Sequence, residues 1–255
     1  MEGVTRPVTD RVMFRILGPL RAGVGERPVD LGGGRARLVL AALLLEMDRT
    51  VPVDRLVDVV WPGGPPASAR TQIAMAVSGL RRAFRCAGCA GHVIDTVPPG
   101  YRVSGVIDAR AAERLIAGAR RDVAAGRLAR ASDGFRGALA LWDGPVLAGL
   151  DRPVIAAGAL RWEELRLTAV EESARVELAL GRHHELVGEL MVPVAEHPYR
   201  ERLRALLMVA LARAGRRGEA LDVYHDGRRR LDEELGLRPG RELRDVHTAV
   251  LRDDP

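Results

Sequence analysis

Between Arg70 and Arg85 the chain places four arginines, Arg70, Arg81, Arg82 and Arg85, and no acid. A guanidinium is always charged and presents a planar fork of donors that fits a phosphate or the edge of a guanine. The segment therefore has the chemistry of a polyanion-binding surface. The wider charge distribution agrees. Residues 1–107 hold fourteen Arg against nine acids, whereas residues 108–255 hold twenty-five of each, so the net charge of +5 sits entirely in the first part. An excess placed in this way is the footprint of a nucleic-acid partner, although +5 alone is within reach of an ordinary solvated surface.

Other chemistries find less support. Every basic residue is Arg and none is Lys. This excludes a P-loop, which needs its phosphate-reaching Lys, and a Schiff-base enzyme, which needs a Lys amine. Gly32, Gly33 and Gly34 precede a helical pattern as a phosphate cradle would. No dinucleotide fingerprint follows them, and a tight strand-to-helix connection is the favoured reading. Cys86, Cys89 and His92 offer three ligands where a closed zinc site needs four, so two loop thiols are the ordinary explanation. His183, His184 and Glu185 do not form HExxH, because Gly188 stands three after Glu185. They are read as an exposed repeat turn. Neither a Ser/His/Asp constellation nor a carboxylate pair can be singled out, and an enzyme is the third-ranked hypothesis. No cofactor and no metal are expected. Two cysteines are too few for a secreted disulfide framework. There is no run of eighteen apolar residues, and the acid-containing N-terminus lacks a signal-peptide core. A cytoplasmic, nucleoid-associated protein without membrane contact is expected, with residues 1–11 as a disordered N-terminus.

The elements that must position the arginines can be read from pattern. Residues 12–31 look like short strands broken by Gly and Pro turns. Arg35–Met47 is dense in apolar residues and free of turn residues, as a buried helix is. Asp54–Trp61 forms a second, short helix with Leu56, Val57 and Val60 on its apolar side. Pro62, Gly63, Gly64, Pro65 and Pro66 must be a loop, since Pro and Gly at this density cannot continue a helix. Ala67–Arg85 is a third helix, with Ser68 at its N-cap position. Ile73, Val77, Leu80 and Phe84 lie on one stripe of it. Thr71, Met75, Ser78 and Arg82 share the opposite face, flanked by Gln72, Gly79 and Arg85. Val93–Val97 and Tyr101–Val103 flank Pro98-Pro99-Gly100 and read as a β-hairpin. This order predicts an α+β winged helix-turn-helix of the OmpR type, its third helix entering the major groove and its hairpin forming the wing. Trp61 is read as a core anchor.

After about Ile107 strand signals vanish and helical patterns run to the end. Gly181-Arg-His-His-Glu-Leu186 and Gly215-Arg-Arg-Gly-Glu-Ala220 are offset by 34 residues, the tetratricopeptide period. Leu207, Leu211, Gly215, Ala220, Tyr224 and Gly227 match the large and small positions of such a repeat, with Met208 where a small residue is usual. Another copy contributes Ala174 and Gly181 and ends at Pro198. A fainter one runs through Leu115, Ala119, Gly126, Ala131, Phe135 and Ala138. An all-α, tetratricopeptide-like repeat domain over residues 108–255 follows, stacked into a surface that binds proteins.

Across residues 12–252 the chain resembles the Streptomyces antibiotic regulatory protein family. The resemblance is carried by FRILGPL (14–20), PVDLGGGRAR (28–37), LAALLLE (40–46) and VPVDRLVDVVWPGGPPASA (51–69). VSGLRRAF (77–84), VPPGYRV (97–103) and EELGLRPGRELRDVHTAVL (233–251) complete it. The resemblance implies a winged-helix DNA-binding domain (residues 12–107) and a bacterial transcriptional activator domain (residues 108–255). It implies a transcriptional activator that binds promoter direct repeats as a homodimer on double-stranded DNA. Such an activator recruits RNA polymerase holoenzyme with its sigma factor and switches on a specialised-metabolite gene cluster. Thr71, Met75, Ser78 and Arg82 are then the base-reading candidates, with Arg82 expected to read a guanine. Arg70, Gln72, Arg81, Arg85 and Arg102 are the backbone candidates, Arg102 reaching either backbone or minor groove. Pro62, Gly63, Gly64, Pro65 and Pro66 form the polymerase-contact loop or a simple connection. The ATPase module of longer members is not expected. Two positions depart from the family pattern, which usually has Arg where Gly79 stands and commonly an aromatic at Met75. They motivate a second hypothesis, a protein-interaction scaffold whose winged helix no longer binds DNA specifically.

Overall fold

Val12 and Phe14 are buried while Met13 and Arg15 face outward, the period-two signature of a strand with one wet face. In the computed structural model, which describes residues 12–252, this strand opens a chain that is mostly helical with a small β region near its N-terminus. The expectation of disorder over residues 1–11 lies outside the described residues.

Strands β1 (Val12–Arg15), β2 (Arg21–Val24) and β3 (Arg27–Pro28) come first, followed by helix α1 (Gly34–Leu45). Next come β4 (Val51–Pro52), α2 (Val53–Val60), α3 (Ala69–Cys86), β5 (Ile94–Val97), β6 (Gly100–Val103) and β7 (Val106–Ile107). One sheet has the order β3-β2-β1-β7, in which β7 returns parallel to β1; a second has the order β4-β6-β5. Helix α1 buries every residue from Leu38 to Leu44, so it is a core helix rather than an amphipathic one. It supports α3, whose Phe84 meets Phe14 of β1 edge-on with ring centroids 5.8 Å apart. The β5–β6 turn needs glycine, because a Cβ at Gly100 would collide with the Val51 carbonyl of β4.

Among the described residues seven helices follow, beginning with α4 (Asp108–Ala124), α5 (Leu128–Leu139) and α6 (Pro153–Ala179). The others are α7 (His183–Glu196), α8 (Glu201–Arg213), α9 (Arg217–Leu235) and α10 (Arg241–Arg252). Backbone contacts divide the chain into two units. The first runs up to Arg114 and takes in Ala140–Leu165; the second comprises Leu115–Leu139 and the chain from Arg166 on.

Within the first unit, the segment after α5 is tied to the turn after β1. The Asp143 N–H donates to the Leu17 carbonyl at 2.7 Å, and the Leu147 N–H to the Ile16 carbonyl at 2.9 Å. Val146, Leu147, Ile155 and Trp162 join the same core as Phe14 and Leu40. Asp108, at the head of α4, accepts from the backbone N–H groups of Ile16, Leu17 and Ala109 at 2.8–3.3 Å. Burial still outweighs these bonds and holds its carboxyl above the usual carboxylate range.

In the second unit, one turn recurs. Gly126, Gly181 and Gly215 have φ of 72°, 76° and 76°, a left-handed conformation that a Cβ would strain. The arginine after each donates its backbone N–H to the residue five before it: Arg127 to Asp122, Arg182 to Glu177 and Arg216 to Leu211. Ala119, Ala131, Phe135, Ala138, Leu207, Leu211, Ala220 and Tyr224 are buried, as is Met208. Leu115, by contrast, is 40% exposed. Small residues are required where helices close up: a Cβ on Gly227 would lie 2.8 Å from Cδ of Arg204. Arg204 is itself buried and donates to the carbonyls of Pro198 and Val223 and to Asp226 at 3.0–3.1 Å.

Candidate nucleic-acid interface

The stripe Ile73, Val77, Leu80 and Phe84 is buried, which turns the other side of α3 to solvent. Thr71, Met75, Ser78 and Arg82 are all exposed on that side, Met75 with 68% of its surface accessible. Gly79 beside them is open, and a Cβ there would meet nothing within 4 Å. The helix begins without a side-chain cap at Ser68; instead the Ser68 hydroxyl accepts from Nε2 of Gln72 at 2.9 Å. Oε1 of Gln72 is enclosed and unpartnered.

The arginines of the segment differ in what holds them. Arg82 and Arg85 are exposed, and neither forms an ion pair or hydrogen bond among the described residues. Arg70 pairs with Asp54 of α2 at 2.5 Å, with both side chains about 70% exposed. A pair so open to water contributes little and yields readily to a phosphate. Arg102 sits opposite Asp95 in the β5–β6 register and pairs with it at 3.5 Å. Arg81 is engaged inside the fold: Nε donates to the Ile94 carbonyl and a terminal N–H to Oγ1 of Thr96, both at 2.8 Å. Its guanidinium carbon also lies 5.8 Å from the Tyr101 ring centre. Arg81 thus binds α3 to the hairpin, which aligns the two elements but leaves it less of its fork for a phosphate.

Pro62–Pro66 is an exposed loop, and Trp61 before it packs half-buried on the core. Arg35, in the first turn of α1, was not among the sequence candidates. It is exposed, stands 5.7 Å from the Trp61 ring centre, and lines a shallow cleft with Gln72 and Met75. The signal for it was available: a basic, acid-free first turn beginning at Gly34. Cys86 is exposed, whereas Cys89 is buried with its thiol against the Gly91 carbonyl. Among the described residues no three of His, Cys, Asp and Glu gather as metal ligands. No described helix is long and apolar enough to cross a membrane.

The exposed, acid-free face of α3 lies beside the β5–β6 hairpin, and the chain is similar to several known proteins. Residues 107–251 match the family described as the bacterial transcriptional activator domain. Regulatory protein DnrI of Streptomyces peucetius is 35% identical over 254 residues, which cover 96% of this chain and 93% of DnrI. This chain belongs to the Streptomyces antibiotic regulatory protein family. Another relative in this family of transcriptional regulators is Regulatory protein AfsR of Streptomyces coelicolor. It is 39% identical over 95% of this chain, and the matched part is only 24% of AfsR. The solved structure of Mycobacterium tuberculosis EmbR, in complex with a low affinity phosphopeptide, superposes with a TM-score of 0.89 at 35% identity. That likeness covers 96% of this chain and 66% of the EmbR chain.

Proposed function

We propose that this chain is a sequence-specific DNA-binding transcriptional activator. In this reading residues 12–107 are an OmpR-type winged helix and residues 108–255 a tetratricopeptide-like activator domain. Helix α3 enters the major groove, since a helix about 10–12 Å across fits a groove about 12 Å wide. Thr71, Met75, Ser78 and Arg82 face the base edges, and Arg82 reads a guanine. Arg70, Arg85 and Arg35 meet phosphates with the Gln72 region, and Arg102 on the hairpin reaches backbone or minor groove. The protein acts as a homodimer on promoter direct repeats, and the loop Pro62–Pro66 meets RNA polymerase holoenzyme with its sigma factor. The genes served are a specialised-metabolite cluster, as the family's name suggests. The observation that carries the reading is the outward face of α3, acid-free and bearing two arginines without counter-ions.

Mobility shifts on the promoters nearest the gene, compared with random DNA of equal length, test it. Arg82→Ala is expected to weaken the specific complex by about 1–3 kcal/mol while sparing random DNA, because a bidentate base contact is lost. Arg85→Ala is expected to weaken both alike and to flatten the salt dependence. Equal losses on both DNAs for both variants would overturn the assignment. A second reading, an interaction scaffold without specific DNA binding, draws on Gly79 and Met75; no retardation even at low salt would favour it.

A further inference from the structure

On the outer face of the first sheet, β1 and β2 set Arg15 directly opposite Arg21. Like charges in that register repel each other. Arg21 is neutralised by Asp143 at 3.1 Å. Arg15 forms no ion pair and no hydrogen bond among the described residues. It feels the charge of Asp108, but that carboxylate is already occupied by the backbone N–H groups of Ile16, Leu17 and Ala109. These groups line one cavity of about 520 Å³ within the first unit, walled by Met13, Leu17, Val106, Leu141 and Trp142. The indole N–H of Trp142 is shielded from water and has no acceptor. A donor that water cannot reach is out of a ligand's reach as well, so Trp142 gives the cavity apolar surface and no hydrogen bond.

The cavity therefore combines an apolar wall with one cation, Arg15, that has no ion pair or hydrogen bond among the described residues, and its volume falls in the ordinary range for small-molecule sites. We propose that it binds a small aromatic carboxylic acid. The carboxylate pairs with Arg15, and the ring lies against Met13, Val106, Leu141 and the side chain of Trp142. An aromatic body suits the site because both the indole and the guanidinium offer flat faces for stacking. Asp143 remains with Arg21 and Asp108 with its backbone donors, so neither is forced against the incoming carboxylate. The site is built from β1, β2, β7 and the Ala140–Asp143 segment and uses no residue of α3, so its occupancy does not depend on the DNA-binding assignment.

The test is calorimetric titration of the full chain, without DNA, with 3-hydroxy-2-naphthoate. One saturable site with a Kd below about 1 mM is expected. Arg15→Gln, a substitution at an exposed residue, is expected to weaken it by about tenfold, the loss of one charge-assisted contact. Arg85→Gln on α3 is expected to leave it unchanged. Absence of saturable binding by the unaltered chain, or unchanged affinity in Arg15→Gln, overturns the proposal.

Discussion

Gly79 shows how much one side chain on α3 decides. Its position is exposed and an added Cβ is unobstructed, so the helix carries a residue of poor helical propensity with no packing reason for it. Gly79→Ala is expected to stabilise the chain by about 0.5–1 kcal/mol in urea unfolding, through propensity and a less flexible unfolded state. The open space would also accept a longer side chain such as arginine. Most candidate residues on this helix were legible because burial on a helix follows its period: Ile73, Val77, Leu80 and Phe84 point in, so Thr71, Met75, Ser78 and Arg82 must point out. The partners of each arginine were not legible. Arg81 is bonded to Ile94 and Thr96, thirteen and fifteen residues further on. Helical periodicity says nothing about what a different element brings up beside it.

At the scale of elements, Arg81 couples α3 to the β5–β6 hairpin. Arg81→Ala is expected to destabilise the chain by about 1–2 kcal/mol, the loss of two hydrogen bonds. It should also raise amide exchange selectively in Ile94–Val103 and weaken specific and random DNA binding together. Unchanged hairpin exchange would contradict the coupling. A pH-dependent contact joins α9 and α10. Tyr224 and His247 stack with centroids 3.8 Å apart and planes within 9°, and His225 lies across them. Burial first, then the charges of His225 and Arg228, hold His247 below its ordinary value of 6.5. The unfolded chain therefore takes up the proton more readily, and stability falls as pH drops through about 6.5, with no such loss above it. Thermal melts at about pH 7.5 and about pH 5.5 are expected to show this drop, and His247→Phe to reduce it. An equal drop in the variant would assign the effect elsewhere.

For the molecule as a whole, the distribution of core contacts matters more than any single pair. Val146, Leu147, Ile155, Ala159 and Trp162 lie in the same hydrophobic cluster as Phe14, Leu40 and Phe84. A chain ended after Ile107 would expose the surfaces these residues cover and would lose the bonds from Asp143 and Leu147 to the turn after β1. Such a fragment is expected to melt at a lower temperature than one ended after Leu165, and to bind more of an apolar dye. Equal melting temperatures would show that the early strands and helices are self-sufficient. The charge asymmetry is also a whole-molecule property. With the excess confined to the first 107 residues, DNA affinity is expected to track salt through that part alone.

Local physics is what the sequence determined unaided. Apolar density placed α1 and hydrophobic period placed α2 and α3; Pro and Gly density placed the loop at 62–66; and a 34-residue offset between Gly181 and Gly215 marked turns that adopt the same backbone angle, 76°. Each depends only on neighbours a few residues apart or on self-similarity. The tertiary structure alone decided the pairings between distant segments. It laid β7 parallel to β1, brought Val51 against Tyr101 in a short sheet, and drew Ala140–Leu165 into the first unit. It also separated four similar arginines into two open cations, one surface pair and one internal tie. Composition marks such a segment as basic, but only the position of acceptors from other elements determines which guanidinium remains free for a partner.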